Sequence, residues 1–191
     1  MSPAELLNVY RAGYFPMGEE GSDEVGLYGT RTRALMPIEG LRVSRSFAKF
    51  LRSHPYRVSF DENFAGVIRG CRRPEDNWIT PPIIEMFTEA HRAGIAHSCE
   101  VWDGNELVGG TYGLAVGGIF SAESMFHRRT NCSKLALHSL IEHCRCLGFA
   151  VMDAQIMNPH LASLGAIEVS HVTFRRLLDQ HRADVIWRNF C

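Results

Sequence analysis

The chain has 191 residues, of which 46% are hydrophobic and 21% charged, and a formal net charge of −1. That supplies one substantial core and excludes a disordered tail or a coiled coil. No stretch approaches the roughly 20 continuous apolar residues that span a bilayer, and "MSPAELLNVYRAGYFPM" lacks a basic segment followed by an apolar one, so a cytoplasmic protein with no membrane partner is expected.

The opening "SPAELLNVYRAG" reads as a helix, with Ser2 as cap, Pro3 in the first turn and Gly13 as terminator. A Gly/Pro-rich loop is expected through about residue 40, then a helix from Ser44 whose Phe47, Phe50 and Leu51 share one face. "YRVSF" alternates like a strand, Asp61 is positioned to cap "ENFAGVIRGCRR", and "WITPPIIEMFTEAHRAG" reads as a loop entering a helix that stops at Gly94. "AHSCEVW", "ELVGGTYGLAV" and "IFSAESMF", separated by "DGN" and "GG", form a three-strand meander. A basic turn, "HRRTN", leads into the helix "CSKLALHSLIEHCRCLG", the strand "FAVMDAQI" and a short helix capped at Asn158-Pro159. Strand, helix and strand with this crossover predict a right-handed unit whose two strands lie parallel and adjacent.

Charge is segregated beneath the small total: residues 1–24 carry −4, 25–73 carry +7, 74–126 carry −7 and 127–191 carry +3. This suits one surface that meets a polyanion and another that meets a cation. The cysteines Cys71, Cys99, Cys132, Cys144, Cys146 and Cys191 show no CxxC pairing, and free thiols are expected. In "HCRC" the side chains of His143, Cys144 and Cys146 point in different directions along a helix, so no metal site is expected there.

Glu123 stands out because an unpaired buried carboxylate costs several kcal/mol. Strand alternation places Ser121, Glu123 and Met125 on one side and Phe120, Ala122 and Phe126 on the other; Val151, Asp153 and Gln155 likewise share a side. If the polar sides coincide, two carboxylates and an amide gather at one spot; alternatively each polar residue caps a loop or pairs with an Arg. The element order resembles that of GNAT-type acyltransferases, giving an α+β class: a GNAT-like mixed sheet with flanking helices over residues 56–191, after a small N-terminal unit at 1–55. Such enzymes seat the donor pyrophosphate on a glycine-rich turn at the crossover helix. Here that turn, "HRRTNCSK", has no glycine, which disfavours CoA.

From about residue 6 to about residue 178, "LLNVYRAGYFPM", "VSRSFAKFLR", the run "WITPPII" to "NCSKLAL", and "FAVMDAQIMNPHLASLGAIEVSHVTF" resemble the leucyl/phenylalanyl-tRNA–protein transferase family. The resemblance implies transfer of Leu or Phe, with Met also considered, from aminoacyl-tRNA to proteins with N-terminal Arg or Lys, marking them for degradation, with an indirect link to a protease adaptor and no cofactor. It implies that Asp153 polarises Gln155, whose amide oxygen helps take the amine's proton, and that Glu123 helps hold the reacting groups. Phe120, Met125 and Phe126 are candidates for the aminoacyl pocket. The tRNA contacts implied are Tyr28, in place of the family's tryptophan-rich segment, with Arg33, Arg45, Asn131, Ser133 and Lys134. Two other readings stand beside this one: a GNAT-like N-acyltransferase with another donor, and a non-catalytic tRNA- or degron-binding module.

Overall fold

The structure, a computed structural model, describes residues 1–39, 41–73 and 77–189. Helix α1 (Pro3–Arg11) begins with a capping box, in which the Ser2 hydroxyl accepts from the Glu5 amide while the Glu5 carboxylate accepts from the Ser2 amide. Strands β1 (Phe15–Gly18), β2 (Val25–Tyr28) and β3 (Thr32–Pro37) follow where a loop was expected. The hairpin of β1 and β2 was hidden by its long polar tip. Strand β3 shows no alternation because both of its faces are covered.

The chain continues through α2 (Arg45–Leu51), β4 (Arg57–Phe60), α3 (Phe64–Gly70), α4 (Pro81–Arg92), β5 (Ala96–Asp103), β6 (Glu106–Val116) and β7 (Ile119–His127), then α5 (Cys132–Leu147), β8 (Val151–Asp153), α6 (Pro159–Ser163), β9 (Ile167–Ser170) and α7 (His171–Gln180). Ser44 caps α2 and Asn158 caps α6, as expected. Asn63, not Asp61, caps α3; Asp61 instead accepts from the Ser98 amide and meets His97 Nδ1. Cys71, Cys99, Cys132 and Cys144 are buried free thiols, whereas Cys146 is disulfide-bonded, departing from the expectation; Cys191 lies outside the described residues.

The seven-stranded sheet runs β4-β5-β6-β7-β8-β3-β9. Strands β7 and β8 are adjacent and pair in parallel, as the crossover predicts; the structure adds the register, Ser121 opposite Asp153, and the other pairs are antiparallel. Helices α1, α3, α4 and α7 supply Leu6, Val67, Phe87 and Phe174 to one core; α5 and α6 supply Leu140, Ile141 and Leu161 to the other. Each such side chain contributes about 2 kcal/mol when fully buried. The expected boundary at residue 55 separates no two sheets, since β3 is inserted between β8 and β9. A segment near the N-terminus therefore lies at the centre of the site.

Candidate active site

Two local irregularities assemble the polar cluster. In β7 the register passes from Ala122 opposite Gly113 to Ser124 opposite Tyr112, so Glu123 is the extra residue of a β-bulge. Gly113 is needed there, because a Cβ would sit 2.2 Å from the Ser121 carbonyl oxygen. The bulge breaks the expected alternation: Met125 rejoins Phe120 and Ala122, while Phe126 crosses to the opposite core. In β8 regular pairing stops at Asp153, and Gln155 turns off the strand at φ 52°, its carbonyl held by the Ala34 amide at 3.1 Å.

These turns bring together what the sequence left open. Gln155 Nε2 donates to Glu123 Oε1 at 3.0 Å and to Ser121 Oγ at 2.9 Å, and Ser121 Oγ donates to Asp153 Oδ2 at 3.0 Å. The Gln155 amide donates to Asp153 Oδ1 at 3.0 Å. Arg33 closes the cluster from β3: Nε and Nη2 donate to Asp153 Oδ1 and Oδ2 at 2.9 and 2.8 Å, and its guanidinium lies over the rings of Phe15 and Phe174. With 0% exposure Arg33 cannot reach a phosphate, which corrects its expected role as a tRNA contact.

Burial, reinforced by the neighbouring Asp153 charge, raises the Glu123 carboxyl to about 8. The buried Tyr10 hydroxyl faces the same carboxylate, close enough to interact but short of hydrogen-bond geometry. Burial, and next Glu123, raise the Tyr10 phenol well above its ordinary value, so it stays neutral.

Glu123 and Gln155 face a cavity of about 340 Å³ whose apolar wall includes Phe15, Met17, Met36, Met125, Leu137 and Met152. The cavity's open side carries Arg73, Ile156 and Asn158, with Trp78 half-buried beside them. Met125 is on this wall. Phe120 and Phe126 are not: Phe120 packs edge-on against Phe149, and Phe126 lies in the opposite core, its ring where a Cβ added at Gly70 would fall. The missed wall residues Met17, Met36 and Met152 come from three strands, a convergence no local pattern reveals.

Of the other expected contacts, Tyr28 is 48% exposed on β2 and Arg45 is exposed at the start of α2. Asn131, Ser133 and Lys134 stand at the N-terminus of α5, with Asn131 at φ 68° and Ser133 Oγ 3.2 Å from His127 Nδ1. Burial, then Lys134 and His127, lower the pKa of His160 on α6, which favours its neutral form. Among the described residues, Asp61, His91 and His97 offer the grouped metal-type donors, within 4.8 Å of one another. Hydrogen bonding accounts for their arrangement, since His97 Nδ1 meets Asp61 at 2.8 Å and His91 Nδ1 meets the Ala96 carbonyl at 2.9 Å.

An apolar cavity that ends at a hydrogen-bonded carboxyl and carboxamide, the carboxyl raised by burial to about 8, has the make-up of an enzyme active site. Residues 35–179 match the family described as leucyl/phenylalanyl-tRNA protein transferase. The chain is 46% identical over 179 residues to the leucyl/phenylalanyl-tRNA–protein transferase of Chlorobium limicola, covering 92% of each, and 43% identical over 181 residues to that of Rubrobacter xylanophilus, covering 94% of each. It belongs to this family of aminoacyltransferases. Among solved structures it has partial likeness to L-PGS from Bacillus licheniformis, with TM-score 0.45 and 12% identity over 82% of this chain and 51% of that one. A GCN5-related N-acetyltransferase-like protein from Streptococcus suis matches with TM-score 0.38 and 13% identity over 83% and 59%. No described helix is long and apolar enough to cross a membrane.

Proposed function

We propose that this protein moves Leu or Phe, and with them Met, from aminoacyl-tRNA to the α-amino group of proteins beginning with Arg or Lys, in the cytoplasm. The observation that carries the reading is the Gln155–Glu123 pair facing an apolar cavity of about 340 Å³. The aminoacyl side chain occupies the wall of Met36, Met125 and Leu137, setting the ester carbonyl before Gln155. The acceptor nitrogen attacks that carbon, a C–N bond forms, and the bond to the tRNA 3′-oxygen breaks. Among the described residues no donor reaches Gln155 Oε1, leaving it able to receive the amine's proton, which then passes to the departing oxygen. Glu123 at about 8 lies near the ordinary α-amine value of about 8, so exchange between them is close to balanced. An ester is already activated, and positioning supplies the rest.

Exposed Arg45 and Lys49 on α2, with Arg42 before it and Arg52 at its end, supply a cationic surface for the tRNA backbone, and Lys134 beside His127 and a neutral His160 forms a seat nearer its 3′ end. Trp78, beside the cavity, and exposed Tyr28 offer aromatic surfaces for a terminal base. The tip between β1 and β2 carries exposed Glu19, Glu20, Asp23 and Glu24 and is anchored where the Gly18 amide donates to the Trp78 carbonyl at 3.0 Å, beside the cavity; this supports a cationic acceptor. The new N-terminus of the product then links the protein indirectly to a protease adaptor. The test is transfer of labelled leucine from Leu-tRNA to peptides beginning with Arg or Lys beside peptides beginning with Ala or Asp. Transfer confined to the basic N-termini is expected; equal transfer to all four, or none, would overturn the reading.

A further inference from the structure

We infer that Ser121 is a positioning residue for the transfer: its hydroxyl, oriented by Asp153, decides which end of the Gln155 amide faces the cavity. The inference rests on the reading of Gln155 Oε1 as the proton acceptor and follows from the polarity of each hydrogen bond. Asp153 carries four donors, from Arg33 Nε, Arg33 Nη2, the Gln155 amide and Ser121 Oγ. A carboxylate paired to a guanidinium can only accept, so the single Ser121 proton is committed to Oδ2. Ser121 can then offer Gln155 only lone pairs, and Gln155 must answer with Nε2, at 2.9 Å. The second Nε2 proton goes to Glu123 Oε1 at 3.0 Å. With both N–H groups spent inward, Oε1 is left on the outer branch of the amide.

The direction of the amide is thus set three residues back, by the Arg33 charge, and passes through one hydroxyl that is itself buried. Removing that hydroxyl strands a buried N–H and frees the amide to rotate by half a turn. Rotation would direct Oε1 at Glu123 and present NH₂ to the acceptor amine, which cannot take its proton. The titratable and charged groups facing Glu123 are Tyr10 from α1, Tyr112 from β6, Asp153 from β8 and Arg33 from β3, the two phenols staying neutral because burial raises both. A protonated Glu123 can donate to the rotated Oε1, whereas an ionised one repels it. The misoriented amide is therefore favoured below about 8 and disfavoured above it.

The experiment compares the full-length protein with its Ser121→Ala, Ser121→Thr and Gln155→Ala variants, using Leu-tRNA and an Arg-initiated peptide from pH 6 to 9. Ser121→Ala should lower kcat by about 10- to 100-fold at pH 7 while the KM for Leu-tRNA stays within about twofold. The deficit should shrink above pH 8, and Ser121→Thr should recover most of the rate. By NMR, the Gln155 side-chain N–H₂ protons should exchange slowly with solvent in the wild type and rapidly in Ser121→Ala, a readout independent of turnover. Wild-type kcat and unchanged exchange in Ser121→Ala, with Gln155→Ala inactive, would overturn the relay alone. Full transfer by Gln155→Ala would instead overturn the site reading beneath it.

Discussion

Glu123→Gln keeps the shape of the side chain and its acceptor for Gln155 Nε2 while removing a group that titrates. In the folded protein this carboxyl is raised from 4.5 to about 8, mainly by burial. A raised carboxyl stabilises the fold fully below the unfolded value of 4.5, and that contribution is lost as pH climbs through about 8. The full shift corresponds to about 5 kcal/mol, and because Glu123 borders an open cavity we discount it to about 2 kcal/mol. The variant should therefore match the wild type near pH 4.5 and exceed it by about 2 kcal/mol at pH 9, or about 4–8 °C in Tm for a chain of this size. Urea unfolding of both proteins at each pH measures the difference, in which all other titrations cancel. A difference that stays flat across this range, or favours the wild type at pH 9, would refute the placement of Glu123 in a desolvated, proton-retaining position.

Gln155→Ala should reduce transfer by at least about 100-fold while binding of Leu-tRNA, followed by filter retention, changes little. Asp153→Ala should lose transfer and also destabilise the fold, because it strands the buried Arg33 guanidinium; its unfolding midpoint should fall well below that of Gln155→Ala. Arg33→Met should cost about 3–5 kcal/mol by leaving Asp153 unpaired, and adding Asp153→Leu should restore part of that stability in a double-mutant cycle. Arg45→Ala and Lys49→Ala should each weaken Leu-tRNA binding and lower its logarithmic salt slope by about 0.7–1, with kcat at saturating tRNA preserved.

Much of this site could be read from residue order, and the exceptions share a cause. The meander, the crossover and the adjacency of β7 and β8 follow from turn residues and periodicity, but the register that sets Ser121 opposite Asp153 does not. The approach of Glu123 to Gln155 was one of two arrangements left open, and unbroken strand alternation was its expected route, whereas a bulge and a left-handed turn produce it. The same bulge explains why Phe126 left the expected pocket and Met125 entered the wall. Arg33 was assigned to tRNA because an arginine in a basic segment looks solvent-facing. Its carboxylate partner lies 120 residues away, and no local signal announces such a pair. Strand β3 was missed for a related reason, since a strand covered on both faces loses the alternation that identifies strands.

The insertion of β3 between β8 and β9 also governs when the enzyme can first work. During synthesis Arg33 emerges early, but the carboxylate that neutralises it arrives with β8, its far neighbour with β9, and the ring of Phe174 later still. Pairings of such sequence separation form slowly and only after their last member is available. A nascent chain carrying α1 through β7 already holds Glu123 but lacks Gln155. Competence thus comes late in vectorial translation, so a truncated product of a stalled ribosome that ends after β7 would carry only part of the cavity wall, lacking Leu137 and Met152 along with Gln155.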